Sequence, residues 1–377
     1  MGRLDPLFKE TNATLCYSCG RCTPACPLAS YDKFSPRRFV ERALTMNVVD
    51  EAKVWECLTC AGCSSHCPSS VDFPRLVRLL RDDSRPGAAS RCAHAGILHS
   101  LMRLMATRDL RQDRLGWLSP DLQVGSEGDT LLFVGCAPYF DSYFDRWSPI
   151  GITRSAVRLL NKIGITPVVS GSEVCCGHDM LWSGEKETFQ ALANKNLALI
   201  EGSKAERVVF SCPECYSAFR KDYKTGAKVE LKHITEVLAE NMDKLEFKEN
   251  GKRITYHDSC RMGRFNGVYD APRKLLKSIP KLEVRELEHS REMSECCGTS
   301  CWMNCSYKSK NSQLRVLKEA ERTSGALVTS CPKCLIHFNC AMDEKDRGPF
   351  VSVQDVIVTI DDSTAPRAGS GGGVRHG

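Results

Sequence analysis

The chain has 377 residues, room for two or three domains, and its 42% hydrophobic and 26% charged residues are those of an ordinary globular protein. The formal charge of +6 counts 22 cysteines as neutral, and its Lys and Arg residues are scattered with no basic cluster among stacking aromatics, which excludes a nucleic-acid reader. No apolar run is long enough to span a bilayer and MGRLDPLFKE has no secretory core, so the expectation is a cytoplasmic chain, attached to the inner membrane face only through a partner, whose cysteines hold metal rather than disulfides.

Residues 1–80 carry two similar cysteine runs. Cys16, Cys19, Cys22 and Cys26 form C-x2-C-x2-C-x3-C before Pro27, and Cys57, Cys60, Cys63 and Cys67 repeat it before Pro68. This is the bacterial ferredoxin run: three close cysteines curl around one cubane, and the fourth serves the other. The reading assigns Cys16, Cys19, Cys22 and Cys67 to one 4Fe–4S cluster, and Cys57, Cys60, Cys63 and Cys26 to a second. Structural zinc usually spaces its ligands as two separated pairs, which this doubled run does not. Between the runs, Ser35 as N-cap and Pro36 at the first position open a helix, and Asp72 with Pro74 opens another after the second run. The first domain is thus expected to be all-helical.

Residues 81–128 read as a helical linker broken by Pro86, Gly87 and Gly116. Behind it lie two copies of one unit, 129–250 and 251–345. Cys136 and Cys260 lie 124 residues apart, Cys175 and Cys296 lie 121 apart, and Cys212 and Cys331 lie 119 apart. Each copy opens on an apolar run ending at a cysteine, passes a helix-like stretch and Cys-Cys-Gly, and closes on a second apolar run into Cys-Pro-x-Cys. Strands alternating with helices predict two α/β lobes with mainly parallel sheets, cysteines at the carboxyl ends of the strands. Residues 346–377 are an extension whose Gly/Ser-rich end is expected to be disordered.

Copy one offers Cys136, Cys175, Cys176, Cys212 and Cys215; copy two offers Cys260, Cys296, Cys297, Cys331 and Cys334. Adjacent cysteines diverge and chelate a single zinc poorly, but they suit a multinuclear centre. The glycine after each pair lets the backbone turn tightly beside it. Five thiolates exceed the needs of a cubane.

The pattern C-x38-CCG-x34-C-P-x-C followed by C-x35-CCG-x32-C-P-x-C resembles the duplicated CCG domain of heterodisulfide reductase B and D subunits, and the helical domain before it resembles the C subunit or the start of the D subunit. The fused order is similar to the D type, over residues of about 10 to 345. The resemblance implies a non-cubane 4Fe–4S cluster in each complete five-cysteine set, and a disulfide substrate split between the two. The same module occurs in iron–sulfur subunits of 2-hydroxy-acid and glycerol-3-phosphate dehydrogenases and in aromatic acyl-CoA reductase complexes, where it relays electrons. The second copy departs from the family in reading CCGTSCWMNC, which puts Cys301 and Cys305 beside its cluster motif.

Several residues carry two readings. Cys92, Cys301, Cys305 and Cys340 read as small buried hydrophobes before they read as ligands. His178 and His257 suit packing near a cluster or a hydrogen bond to it. Tyr139, Trp182 and Trp302 suit a water shield or ordinary core, and Arg261 and Arg264 an anionic substrate or a solvated loop. No glycine-rich dinucleotide fingerprint follows a predicted strand, so the electron donor is expected on a flavoprotein or b-type cytochrome partner. The sequence predicts an oxidoreductase subunit passing electrons through two cubanes to two non-cubane clusters, with disulfide reduction there or pure relay as the alternatives, and no individual catalytic residue.

Overall fold

The computed structural model describes residues 5–83, 92–108, 110–224, 228–303, 305–343 and 350–365, apart from the side chains of 31 and 32. Pro86 and Gly87 of the expected linker break, and the Gly/Ser-rich tail beyond residue 365, lie outside the described residues. The N-terminal part is helical. Helix α1 (Pro36–Met46) starts where Ser35 Oγ accepts from Arg38 N at 3.3 Å. Helix α2 (Phe73–Asp83) starts where Asp72 Oδ1 accepts from Arg75 N at 3.2 Å. Side-chain capping satisfies amides that the first helical turn leaves without partners. The buried stripe Phe73, Leu76, Val77, Leu80 of α2 faces Phe39, Val40 and Ala43 of α1, with Phe39 and Phe73 edge-to-face at 5.4 Å.

After α2 comes α3 (Ile97–Ala106), and from 110 to 128 the chain has no long helix. Among its described residues the expected helical linker is therefore helical at its start, to Asp83, and over 97–106, but not from 110 to 128. Its second half packs onto the first lobe, where Trp117 and Leu122 are buried in the core. That burial, rather than helix propensity, sets the conformation there.

Each lobe is a parallel sheet flanked by helices. The first holds β1 (Thr130–Phe133), α4 (Pro149–Lys162), α5 (His178–Trp182), α6 (Lys186–Ser203), β2 (Arg207–Phe210), α7 (Pro213–Lys221), β3 (Glu230–His233) and α8 (Ile234–Glu240). The second holds β4 (Arg253–His257), α9 (Asp270–Lys277), β5 (Glu283–Glu286), α10 (Tyr307–Thr323), β6 (Ala326–Thr329), α11 (Pro332–Asp343), β7 (Ser352–Asp355) and α12 (Val356–Asp362). Strand orders are β1-β2-β3 and β5-β4-β6-β7, every pair parallel. In the first lobe Val168 bridges to Leu131 in parallel, taking the place that β5 takes beside β4. The copies thus correspond strand for strand: β1 to β4, β2 to β6, β3 to β7.

This equivalence revises the C-terminal boundary. Residues 352–362 are not an extension: β7 and α12 repeat β3 and α8, and Val356, Ile357 and Ile360 are fully buried in the core that both lobes share. Helices α4 and α12 fasten the lobes together, with Asp361 accepting from Arg158 at 2.7 Å and Lys162 at 2.9 Å.

Candidate metal centres

Each repeated turn of the fold delivers cysteines from a strand's carboxyl end. Cys136 follows β1, Cys212 follows β2, Cys260 follows β4 and Cys331 follows β6. Cys215 and Cys334 sit one turn into α7 and α11, where proline after Cys212 and Cys331 opens the helix. The Cys-Cys-Gly turns close both sets with the same geometry. Gly177 has φ 74° and Gly298 has φ 80°, and each donates its N–H at 3.4 Å to the first sulfur of its pair, Cys175 or Cys296. A Cβ on Gly298 would stand 2.8 Å from Ser309 O.

In the helical domain, Cys26 lines one cavity with Cys57, Cys60 and Cys63, whereas Cys22 lies near Cys16 and Cys67. Cys26 thus sits with the second run's three and Cys67 near Cys22 of the first run, while Cys19 is exposed. Backbone N–H groups again point at sulfur, Thr59 N to Cys57 and Val71 N to Cys67, both at 3.4 Å.

The sites adjoin one another. Cys60 lies within hydrogen-bonding reach of Cys296, which reaches both Cys260 and Cys297. Cys297 reaches Cys334, and Cys334 reaches Cys331. Cys331 neighbours Cys212 across the lobe boundary, and the first lobe continues through Cys215, Cys176 and Cys175 to Cys136. One series of thiols therefore runs from the helical domain through copy two into copy one.

Where the lobes meet, the middle residues of the two Cys-Pro-x-Cys motifs face each other as opposite charges. Lys333 pairs with Glu214 and with Asp179, all three largely buried. Asp179 also receives His178 Nδ1 at 3.0 Å, and His178 Nε2 accepts from Arg261 Nε at 2.8 Å. Burial pushes the Glu214 carboxyl up to about 7, while Lys333 opposes that shift. Burial likewise works against the Asp179 carboxylate, but Lys333 and His178 win and hold it well below its usual range.

Three arginines clamp the loop of the second ferredoxin-type run. Arg81 donates to the carbonyls of Val54 at 2.9 Å and Cys57 at 2.8 Å, Arg261 to Thr59 O at 2.7 Å, and Arg264 to Cys60 O at 2.7 Å. Arg81 is fully buried and Arg261 is 4% exposed. Neither of the readings weighed for Arg261 and Arg264, a substrate contact or a solvated loop, describes them: Arg261 is sandwiched against Trp182 and Phe265 at 4.3 and 3.9 Å. Sequence reasoning missed Arg81 altogether. Its signal was position, since it falls four residues after Val77 on the apolar stripe of α2.

Do these residues fit iron–sulfur clusters? None of the cysteines among the described residues is paired in a disulfide. Arg81, Arg261 and Arg264 have no carboxylate partner among the described residues, whereas buried Arg114 and Arg273 bind Glu173 and Asp258 at 2.7 Å. A buried cation needs a counter-charge, and the groups beside these three that could supply one are cysteine sulfurs. Cys57 is pushed up to about 11 by burial against the pull of Arg81, while its neighbour Cys296, aided by Arg264 and Arg261, brings Cys60 down to about 5 despite burial. Burial opposes the charge of Arg264, yet the sulfurs of Cys60, Cys260 and Cys296 push its pKa up. Thiolate-ligated clusters would satisfy this donor set, and among the described residues no disulfide competes for it.

Other residues have plain structural places. His257 pins β4 to Thr329 Oγ1 at 3.2 Å and to Glu295 O at 3.0 Å. Trp302 is fully buried, stacked on Phe144 at 5.7 Å and under Lys333 at 5.6 Å. Trp182 is buried, and Tyr139 lies under Arg114 at 5.4 Å. Buried Cys301 lies 3.7 Å from Arg81 Nη1, and burial pushes its thiol up to about 12. Cys92 and Cys340 are half-buried, and Cys305 is exposed.

A cysteine-rich domain family named CCG matches residues 130–220 and 254–339, and a 4Fe-4S dicluster domain matches 15–71. The chain is 30% identical over 337 residues to EtfAB:quinone oxidoreductase of Syntrophomonas wolfei, covering 78% of this chain and 44% of that protein. It is 26% identical over 387 residues to the D subunit of the dihydromethanophenazine:CoB–CoM heterodisulfide reductase of Methanosarcina acetivorans, covering 92% of each. The chain thus spans under half of the first relative and nearly all of the second. A crystal structure of a hypothetical protein from Helicobacter pylori shares the fold at TM-score 0.56 and 10% identity, covering 96% of this chain and 72% of that one. No helix among the described residues is long and apolar enough to cross a membrane.

Proposed function

Because the chain belongs to the CCG-domain iron–sulfur proteins of the heterodisulfide reductase D type, we propose that it is the electron-relaying subunit of an oxidoreductase complex. In this reading Cys16, Cys19, Cys22 and Cys67 hold one cubane and Cys57, Cys60, Cys63 and Cys26 the other. The two five-cysteine sets hold non-cubane 4Fe–4S clusters. Such clusters supply one-electron transfer when bound. The protein's own part is to place the sites end to end, to bury more of the sulfurs at the later sites than at the first, and to compensate their charge.

The observation that carries the proposal is the unbroken series of thiols from Cys60 through Cys296, Cys331 and Cys212 to Cys136. A relay requires adjoining sites; a store of separate metal ions does not. The exposed Cys19 marks the end at which a flavoprotein or b-type cytochrome partner would deliver electrons. Disulfide cleavage between the two five-cysteine sites is the second reading, favoured by the completeness of both sets. Against it, Lys333, Asp179 and Glu214 fill the space between the lobes and would have to part to admit a substrate.

Anaerobically purified protein should hold about sixteen irons with matching sulfide, four for each proposed site. Dithionite reduction followed by paramagnetic resonance should reveal at least two kinds of centre. Iron near zero would sink the reading. Turnover of the coenzyme M–coenzyme B disulfide with reduced dye would promote the second reading over the relay.

A further inference from the structure

We infer that Arg81, Arg261 and Arg264 are charge-compensating residues that make the second ferredoxin-type site, together with the copy-two site, the electron sink of the chain. The inference rests on the proposal that these cysteines ligate clusters. Its basis is a contrast within one molecule. The first ferredoxin-type site has exposed Cys19 and half-buried Cys16, Cys22 and Cys67, so water screens it. At the second, Cys57, Cys60 and Cys63 are buried and Cys26 is half-buried, and Cys296 and Cys297 beside them are buried.

Burial alone disfavours adding negative charge, by the same physics that raises a buried thiol's pKa. Without compensation the buried site would be the poorer acceptor, and an electron would stall at the exposed one. The three guanidiniums reverse this. They are always charged, they lack carboxylate partners among the described residues, and their N–H groups hold the carbonyls of Cys57, Thr59 and Cys60 in place. Arg264 and Arg261 stand between that loop and Cys260, so both sites feel them. When one electron leaves the first site for the second, no bond is made or broken and no proton moves. The outside donor then replaces it. The added negative charge arrives beside cations already in position, which spares reorganisation.

The test is a dithionite titration of the holoprotein followed by paramagnetic resonance, comparing Arg261→Gln and Arg264→Gln with Arg261→Lys and Arg264→Lys. Each Gln variant should lower the reduced fraction of the buried centres at fixed potential at least tenfold, about 59 mV for a one-electron couple. The first centre should not move, and the Lys variants should stay near wild type. Equal shifts for Gln and Lys, no shift for Gln, or an equal shift of the first centre would overturn the inference. If the Gln variants lose iron while the Lys variants keep it, the need for charge is met in assembly itself, which supports it. If both lose iron, the clamp acts through its hydrogen bonds and the inference fails. Wild-type protein without iron would instead remove the functional reading beneath it.

Discussion

At the scale of single residues, the two Cys-Cys-Gly turns look alike in sequence but differ in what a methyl group would meet. At Gly177 an added Cβ would stand 2.8 Å from the Phe189 ring, a side chain that can shift; at Gly298 it would stand 2.8 Å from the backbone carbonyl of Ser309. Both positions have positive φ, so alanine costs on the order of 1 kcal/mol for backbone strain in either. Gly298→Ala should therefore cost clearly more than Gly177→Ala in anaerobic thermal melts, and should lose more iron; equal losses would mean that φ alone matters. Asp355 supplies a pH dependence. Its Oδ1 caps α12 by accepting from Ile357 N at 2.8 Å, its Oδ2 is buried without a partner, and burial pushes its pKa up to about 8. The folded chain keeps a proton there that the unfolded chain releases near pH 4, so the folded state binds more protons and stability falls as pH rises from about 4 through about 8. Asparagine caps a helix as well as aspartate and cannot ionise. Asp355→Asn should flatten this part of the stability profile and melt higher than wild type above pH 8; parallel profiles would show that Asp355 does not carry the effect.

At the scale of elements, what the sequence made readable was whatever combined apolar periodicity with punctuation. Helices α1 and α2 begin at the residues their Ser35 and Asp72 caps specify, and β1, β2, β4 and β6 lie in the apolar runs that end in cysteine. Strands β3, β5 and β7 were not legible, because ELKH, EVRE and SVQD are polar edge strands with no cysteine behind them. An edge strand needs only one covered face and one partner, so it carries little signal of its own. The site was legible in its cysteines, whose spacing is chemistry, and illegible in its arginines, which a single sequence shows only as charge. The misjudged C-terminal boundary leads to a direct expectation. Ending the chain at residue 350 removes β7 and the fully buried Val356, Ile357 and Ile360. At about 1.5–3 kcal/mol for each apolar side chain, that loss rivals the net stability of a typical domain. The shortened protein should show no cooperative melt by circular dichroism, whereas ending it at residue 365 should leave the wild-type transition.

At the scale of the whole molecule, this CCG-domain chain depends on duplication followed by divergence of charge. The two Cys-Pro-x-Cys motifs keep their cysteines in step but place Glu214 in one copy and Lys333 in the other, and these meet across the lobe boundary with Asp179. Two lobes with identical motifs would bring like charges together there; opposite charges let the copies close on each other and bring Cys212 against Cys331. The three partners are not equal. Removing Glu214 leaves Lys333 its pair with Asp179. Removing Lys333 strands two buried carboxylates, with His178 Nδ1 at 3.0 Å from Asp179 and at 3.5 Å from Glu214. Breaking a buried pair by leaving a charge uncompensated costs about 3–5 kcal/mol, whereas losing one arm of a network that keeps a Lys–Asp pair costs on the order of 1 kcal/mol. Lys333→Met should therefore destabilise far more than Glu214→Gln in anaerobic denaturant melts. The double variant Lys333→Met/Glu214→Gln, which leaves one stranded carboxylate rather than two, should recover part of the loss. If the double variant were as unstable as the sum of the two single changes, the residues would act independently. The packing of α4 on α12, with Arg158 and Lys162 on Asp361, would then be what holds the lobes together.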